Sequence, residues 1–129
     1  MQLRGLSGET VANGANVLFD SLVLSTGDGI TYNRDTGVFT IHNSGIYEVN
    51  WVINTNGAGE ATSVSFCAEI GATVIDETSS APITSLRLYG QGLFEVGRSP
   101  ALLALVNRTG AIVTFGTSAI QASFIIHRL

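Results

Sequence analysis

Clusters of turn-forming residues interrupt this chain at short intervals, and this spacing constrains the fold more than any other feature. Gly, Asn, Asp and Ser concentrate at residues 13–14, 27–29, 33–37, 43–45, 56–57 and 107–110. Gly adopts positive φ easily, and Asn and Asp side chains bond their own backbone, so these clusters predict turns. The runs between them are short and rich in Val, Ile, Thr, Phe and Tyr. Such runs predict short strands, so we expect an all-β sandwich or barrel.

The run from Tyr47 to Asn54 supports strands directly, because its apolar and polar residues alternate. The odd positions hold Tyr, Val, Trp and Ile, whereas the even positions are mostly polar. A period of two places one set on a buried face and the other on the opposite face. In residues 86–96 a similar apolar set is interrupted by Gly90 and Gly92, which indicates a bend or a close backbone approach. Residues 101–106 are apolar throughout and predict a strand buried on both faces.

Charged residues are scarce, at 12% of a 129-residue chain of which 45% is hydrophobic. Disordered chains combine low hydrophobicity with high charge, so this composition predicts a folded chain, and its length predicts one domain. The 6 basic residues are all Arg and face 10 acids, so the net charge of −4 disfavours nucleic acid as a partner. The same charge disfavours an anionic membrane surface, and no apolar run is long enough for membrane insertion. Two explanations of the low charge stay open, a polar Ser/Thr/Asn coat or an outer face buried in an oligomer.

The residue types that carry catalysis or bind metals form no recognisable pattern in the sequence. His42 and His127 lack a second ligand at metal-binding spacing, and Asp28 and Asp35 lie in turns without a calcium-loop motif. A nucleophile, a base and an orienting group cannot be assembled from the residues present. We therefore expect no enzymatic activity, no catalytic residue, no metal site and no cofactor.

Two further residues have both a chemical and a structural interpretation. Cys67 is the only cysteine and lies in an apolar run, where a lone thiol usually packs as a small hydrophobe. Asn107-Arg108-Thr109 fits the acceptor pattern for N-glycosylation, but such triplets are frequent by chance. We interpret the first as a core residue and the second as part of a turn.

A more specific pattern lies in residues 29–51. It reads Gly-Ile-Thr-Tyr-Asn at 29–33, Thr-Gly-Val-Phe-Thr at 36–40 and Ser-Gly-Ile-Tyr-Glu-Val-Asn-Trp at 44–51. This stretch resembles the signature of the superfamily that contains the complement globular heads and the tumour-necrosis-factor-like (TNF-like) jelly rolls. Gly29, Gly37 and Gly45 match its turn and motif positions, and Phe19 matches an upstream aromatic position.

The resemblance implies a ten-strand antiparallel jelly-roll β-sandwich that assembles as a compact homotrimer. In this superfamily one sheet lines the threefold axis and contains the Gly-x-Tyr strand and the last strand, which residues 122–126 resemble. Period two then divides these strands into a core set and an interface set. We expect the subunit core to contain Phe19, Phe39, Tyr47, Val49, Trp51, Phe124 and Ile126. We expect the trimer interface to contain Ile46, Glu48, Asn50, Val52, Gln121, Ser123, Ile125 and His127.

Within the superfamily, the chain is similar to the C-terminal domains of bacterial collagen-like surface glycoproteins, the BclA-like domains of the spore exosporium. Those domains follow a collagen-like Gly-x-y stalk, and two such triplets begin at Gly5 and Gly8. We therefore interpret residues 1–12 as the end of a collagen-like stalk or linker and residues 13–129 as the trimerisation domain. The resemblance implies a structural role, with adhesion as an addition, at the tip of an extracellular spore or cell-surface filament.

Two other functions stay open from the sequence. Jelly rolls also serve as ligand-binding modules, so the domain could recognise a carbohydrate or a host protein through exposed loops. Phage fibres likewise combine collagen-like stalks with trimeric β-structured tips, which would place the chain in a virion.

Overall fold

The structure of the protein is a computed structural model that describes residues 1–56, 63–71, 73–80, 86–116 and 121–129. Over these residues the chain is all-β, with twelve strands separated mainly by the predicted turns. The strands are β1 (Gln2–Leu6), β2 (Thr10–Val11), β3 (Phe19–Leu24), β4 (Ile30–Asn33), β5 (Val38–Ile41), β6 (Gly45–Thr55), β7 (Val64–Ile70), β8 (Thr73–Ser80), β9 (Leu86–Val96), β10 (Ala101–Asn107), β11 (Val113–Thr114) and β12 (Ala122–Arg128).

Ten of these strands form two antiparallel five-stranded sheets that enclose the core. The front sheet has the order β3-β1-β12-β6-β9, and the back sheet has the order β4-β5-β10-β7-β8. β2 and β11 form a separate two-stranded ribbon. Strands that are distant in sequence are neighbours, since β12 lies between β1 and β6. The predicted all-β, ten-strand antiparallel sandwich is therefore confirmed, and the ribbon is an addition to it.

The hydrophobic core fills the space between the two sheets. The odd residues of β6 point inward, and from Tyr47 to Ile53 they are at most 3% exposed. The Phe39 ring in the back sheet stacks on the Phe124 ring in the front sheet, with centroids 4.7 Å apart. Such aromatic pairs add about 0.5–1.5 kcal/mol to the free energy gained by burial. The side chains assigned to the core are all buried, namely Phe19, Phe39, Tyr47, Val49, Trp51, Phe124 and Ile126.

The N-terminal residues belong to the sandwich, which corrects the division of the chain at residue 12. β1 lies between β3 and β12, and its Leu3 and Leu6 side chains are buried in the core. Gly5 and Gly8 have φ angles of +70° and +83°, whereas collagen chains adopt φ of about −75°. The two Gly-x-y triplets therefore form a strand and a turn of the folded domain and are not part of a stalk.

β10 is a strand as predicted, but only one of its faces is covered along its whole length. Leu103 and Leu105 are completely buried in the core, whereas Leu102 on the opposite face is 54% exposed. Asn16 forms a backbone bridge to Val106 and covers that end of the outer face. The other end has no such cover, so the expectation of burial on both faces is wrong at Leu102.

Gly37 lies in the turn between β4 and β5, where the backbone excludes a side chain. Its φ is +73°, and a Cβ atom there would lie 2.6 Å from the Val17 carbonyl oxygen. The Asn33 side chain closes the same turn, because its Oδ1 accepts hydrogen bonds from the backbone N–H groups of Asp35 and Thr36. This part of the family signature thus encodes a tight turn.

The other two signature glycines, Gly29 and Gly45, lie against side chains near the start of β6. A Cβ atom at Gly29 would lie 2.9 Å from Nδ2 of Asn43, and one at Gly45 would collide with the Arg128 guanidinium. The Tyr47 hydroxyl donates a hydrogen bond of 2.8 Å to the Asn43 carbonyl oxygen. The turn that precedes β6 is therefore fixed from both sides.

Asn107 ties several loop segments together from inside the protein. It is completely buried, and its Nδ2 group donates to the carbonyl oxygens of Val11, Ala12 and Ala111. Its Oδ1 atom accepts a hydrogen bond of 3.0 Å from the Thr109 backbone N–H. One amide side chain thus shares its two N–H donors among three carbonyl groups and offers an acceptor to an N–H group, which fits a turn-forming role for this triplet.

The glycines of β9 allow the edge of the back sheet to approach the front sheet. A Cβ atom at Gly90 would overlap both the Trp51 ring and the Asp76 carboxylate, and one at Gly92 would lie 2.8 Å from Ile75. Trp51 Nε1 donates a hydrogen bond of 3.0 Å to Asp76 Oδ2, so β6 of the front sheet is linked to β8 of the back sheet. Of the two alternatives predicted for these glycines, a bend or a close backbone approach, the structure shows a close approach, made by side chains.

We expect Gly90→Ala to lower the free energy of unfolding by about 1–3 kcal/mol, the usual cost of overpacking. The added methyl group requires the Trp51 ring and the Asp76 side chain to move. Gly97→Ala is the matched control, because a Cβ atom at that position meets nothing within 4 Å. Urea unfolding followed by Trp51 fluorescence measures both variants, and equal stability would contradict the close packing.

We expect Asn107→Asp to lower the free energy of unfolding by at least about 3 kcal/mol. A carboxylate cannot donate to the three carbonyl groups, and unsatisfied buried groups cost about 1–3 kcal/mol each. Asn13→Asp is the control, because Asn13 is exposed and only accepts a hydrogen bond through Oδ1 from the Gly110 N–H. Thermal and urea unfolding report the difference, and a similar loss in both variants would refute the special role of Asn107.

Candidate subunit interface

The exposed face of the front sheet brings together seven of the eight residues assigned to the trimer interface. The even residues of β6 and the odd residues of β12 alternate with buried ones and point away from the core. In the antiparallel register they form direct pairs, His127 with Glu48, Ile125 with Asn50 and Ser123 with Val52, and Ile46 extends the β6 row. The face therefore exists as a continuous surface in the folded subunit. Its burial between subunits stays a prediction.

Gln121, the eighth residue, lies at the border of this face. It precedes β12 by one residue, and its Nε2 donates a hydrogen bond of 3.0 Å to the Gly116 carbonyl oxygen. The backbone carbonyl oxygen of Gln121 accepts a hydrogen bond from the Asn54 backbone N–H. These contacts hold the half-buried side chain against a neighbouring loop.

Strands β9, β1 and β3 extend the face beyond the residues assigned from the sequence. Tyr89, Gln91 and Leu93 of β9 lie opposite outward residues of β6, and Arg4 of β1 lies opposite Ser123. The alternation in residues 86–96 already indicated that β9 contributes to this face, because a set of inward side chains on a strand implies a set of outward ones. The contribution of β1 was missed because those residues were interpreted as a stalk.

Exposed apolar side chains are concentrated on this face. Tyr89 is 62% exposed and Leu93 is 65% exposed, although large apolar groups gain free energy when they leave water. The strands of the back sheet expose Val74 and Leu102 among the described residues. The outer face of the front sheet exposes five large side chains, namely Leu24, Ile46, Tyr89, Leu93 and Ile125.

A cluster of hydrogen-bonded polar side chains surrounds the Glu48 carboxylate on the same face. Its Oε2 atom is 2.8 Å from His127 Nε2, and its Oε1 atom accepts hydrogen bonds of 3.2 Å from Asn50 Nδ2 and Gln91 Nε2. These hydrogen bonds, the one with His127 first, lower the pKa of the Glu48 carboxyl group. The carboxylate thus accepts one N–H from each amide, and the amide oxygens are outside this contact.

A concavity of about 530 Å³ lies beside this cluster, where β8 approaches β9. We call it the Tyr89 groove. Gly90 lines the groove, and Trp51 and Ile125 add apolar surface. The polar lining comes from both sheets and consists of Asn50, Asp76, Thr78, Tyr89, Gln91 and Ser123.

The other residues that could carry catalysis or bind a metal are in contact with neighbouring groups or buried. His42 Nε2 is 3.0 Å from the Thr31 hydroxyl oxygen. Burial raises the pKa of the Cys67 thiol to about 11, with a smaller contribution from the Glu77 carboxylate. Within the described ranges, no three His, Cys, Asp or Glu side chains are placed to hold a metal ion. The described segments also contain no helix with the length and hydropathy needed to cross a membrane.

We expect the stability difference between the wild-type chain and Glu48→Gln to depend on pH. The pKa of Glu48 in the folded chain is below its ordinary value of 4.5, so its ionisation stabilises the fold above that pH. The stabilisation disappears as the pH falls through the lowered pKa. Urea unfolding should therefore show a more stable wild type at pH 7 and a smaller difference at pH 3. Glu9→Gln is the control, and a difference that persists at pH 3 would refute this linkage.

No protein-family model and no curated protein sequence matches the chain. Solved structures match it over nearly its whole length. Murine APRIL at pH 5.0 has a TM-score of 0.73 and 11% identity, with 99% of this chain and 98% of that chain covered. The globular domain of zebrafish complement 1qA has a TM-score of 0.66 and 14% identity, with 99% and 96% covered.

Eiger TNF from S. frugiperda is similar to the same extent, with a TM-score of 0.70 and 16% identity. The alignment covers 99% of this chain and 90% of that chain. At these identities the likeness establishes the fold alone. The chain thus has the jelly-roll fold of the TNF-like and complement globular-head domains, as the signature in residues 29–51 predicts.

Proposed function

We propose that this chain is a structural, non-enzymatic domain that forms a homotrimer through the outer face of its front sheet. The observation that carries the proposal is the concentration of exposed apolar side chains on that face. Large apolar side chains gain free energy when they leave water, so a face that exposes several of them is a candidate contact site. A chain with 12% charged residues also has few groups with which to solvate such a face.

The sequence resemblance supports a threefold arrangement. In the superfamily that the chain resembles, the sheet with the Gly-x-Tyr strand and the last strand lines the threefold axis. Here those strands are β6 and β12, which are adjacent in the front sheet. The residues proposed to meet across subunits therefore include Asn50, Val52, Ser123 and Ile125, which lie near the middle of the face.

We further propose that the trimer stands at the tip of a collagen-like filament on a bacterial spore or cell surface. Because residues 5–10 belong to the folded domain, the two Gly-x-y triplets do not support a stalk. This part of the proposal rests on the resemblance to BclA-like exosporium domains. Met1 pairs with Ile126 through its backbone, so a stalk would join the front sheet near the end of β12. Three chains held together there would align the strands of a collagen triple helix.

The native sequence upstream of Met1 tests this part of the proposal. A long Gly-x-y tract would support a stalk, and a different domain would contradict it. The neighbouring genes would then distinguish a surface filament from the alternative, a phage fibre tip.

A ligand-binding module of the same fold is the second candidate, and the Tyr89 groove is the observation that favours it. Ligand sites typically combine aromatic side chains with a few placed polar groups, as this groove does. A glycan array and a pull-down from host extracts with the isolated domain would test carbohydrate and protein ligands. Specific binding that Tyr89→Ala abolishes, with assembly unchanged, would favour this function over the structural one.

We expect Ile125→Asp to dissociate the trimer without unfolding the subunit. Ile125 is 36% exposed in the single chain, so a carboxylate is tolerated by the subunit but costly when buried at an interface. Asn56→Asp, which places the same charge on an exposed loop residue, is the matched control. Analytical ultracentrifugation measures the molar mass of both variants. Equal trimer content in the two would refute the proposed interface.

A further inference from the structure

The Tyr89 groove is rich in hydrogen-bond acceptors. Asp76 uses Oδ2 to accept from Trp51, and its Oδ1 has no partner among the described residues. Asn50 and Gln91 each donate one N–H to Glu48, so their amide oxygens stay available as acceptors beside the groove. Ordinary chemistry therefore favours a ligand that is cationic and carries several N–H donors.

Arginine is the side chain that best fits such a lining. Its planar guanidinium donates up to five hydrogen bonds and pairs with a carboxylate through two parallel bonds. An aromatic ring such as that of Tyr89 adds a favourable contact with the cation. Lysine is absent from the chain, so an arginine is the only permanent cation that a second copy can supply from a side chain.

Five of the six arginines already contact groups of their own subunit or lie outside the outer face of the front sheet. Arg108 forms two hydrogen bonds of 2.8 Å with the buried Glu69 carboxylate. Arg87 bonds to Asn54 and already lies 5.7 Å from the Tyr89 ring centroid. Arg34 and Arg98 lie in turns outside the front sheet. Arg128 packs against Gly45 at the end of β12.

Arg4 differs from these in both position and partners. It is exposed on the outer face of the front sheet and forms no ion pair with any described residue. The pairs Arg4–Ser123, Ser123–Val52 and Val52–Tyr89 place it in one row with Tyr89, three strands away. At about 4.8 Å per strand this separation is roughly 14 Å, more than one arginine side chain can span. Arg4 therefore cannot fill the groove of its own subunit.

We propose that Arg4 of one subunit inserts into the Tyr89 groove of the next and pairs with the Asp76 carboxylate. The inference rests on the proposed trimer. A cyclic trimer needs two different, complementary patches on each subunit, because its interfaces are head-to-tail. The positive β1 side and the acceptor-rich β9 side of the same face supply such a pair. Repeated three times, this contact closes the ring and fixes the register of the subunits.

A double-mutant cycle on assembly tests the contact. The variants are Arg4→Gln, Asp76→Asn and the double variant, and sedimentation equilibrium at pH 7 measures the dissociation constant of the trimer. We expect each single substitution to raise it at least about tenfold and the double substitution to raise it little further, since the two remove one interaction. Asp76→Asn keeps an oxygen for the Trp51 hydrogen bond. Arg34→Gln is the control and should leave assembly unchanged.

Fluorescence of Trp51, the single tryptophan, gives an independent readout. Trp51 is buried already in the single chain, but its Nε1 donates to the Asp76 carboxylate, so dilution to monomer, which takes a guanidinium away from Asp76, should shift its emission. For Arg4→Gln, the trimer is first restored by raising the protein concentration. The emission difference between that trimer and its monomer should be smaller than for the wild type. If Asp76→Asn fails to fold, Gln91→Leu replaces it as the groove variant in the cycle.

The outcomes separate this inference from the proposed function. A trimer that all three variants form as tightly as the wild type would overturn the Arg4 contact and leave the trimer proposal standing. Fully additive losses would also overturn it, because they indicate two independent contacts. A wild-type chain that is monomeric at every concentration would overturn both.

Discussion

The packing of Phe39 on Phe124 across the two sheets is the contact on which the rest of the structure depends. It joins the front and back sheets at the centre of the core and sets which face of β12 points inward. Side chains alternate along a strand, so Ser123, Ile125 and His127 must then point outward. A slip of β12 by one residue would exchange its buried and exposed side chains. The composition of the outer face is thus a consequence of how the core is packed.

Local patterns in the sequence predict much of this arrangement, and long-range contacts account for what they miss. The alternation in β6 and the turn residues of the 29–51 signature identify the strands and their inward sets. β1 was misinterpreted because Gly5 and Gly8 have the spacing of a collagen triplet, whereas the pairing of β1 with β3 and with the C-terminal β12 is a long-range contact. The Tyr89 groove was likewise invisible, since it needs β8 and β9 from different sheets to meet.

The outer face of the front sheet combines apolar side chains with a hydrogen-bonded polar cluster. Apolar side chains such as Leu93 and Ile125 are exposed beside the hydrogen-bonded cluster of Glu48 and His127. Apolar contact supplies free energy but little orientation, whereas paired polar groups are sensitive to geometry. A face with both can associate tightly and still select one arrangement of its partners. That combination suits a symmetric assembly better than a nonspecific adhesive surface.

The burial of Asn107 decides the chemical fate of the Asn107-Arg108-Thr109 triplet. A glycan is attached through Nδ2, and that atom is enclosed and committed to backbone carbonyl oxygens. The folded domain therefore cannot be glycosylated at this residue. A sugar added while the chain is still extended, during passage through a eukaryotic secretory pathway, would block closure of the sandwich. Expression in a host that glycosylates Asn-x-Thr triplets during translation is therefore expected to lower the folded yield, a hazard that the triplet itself signals in the sequence.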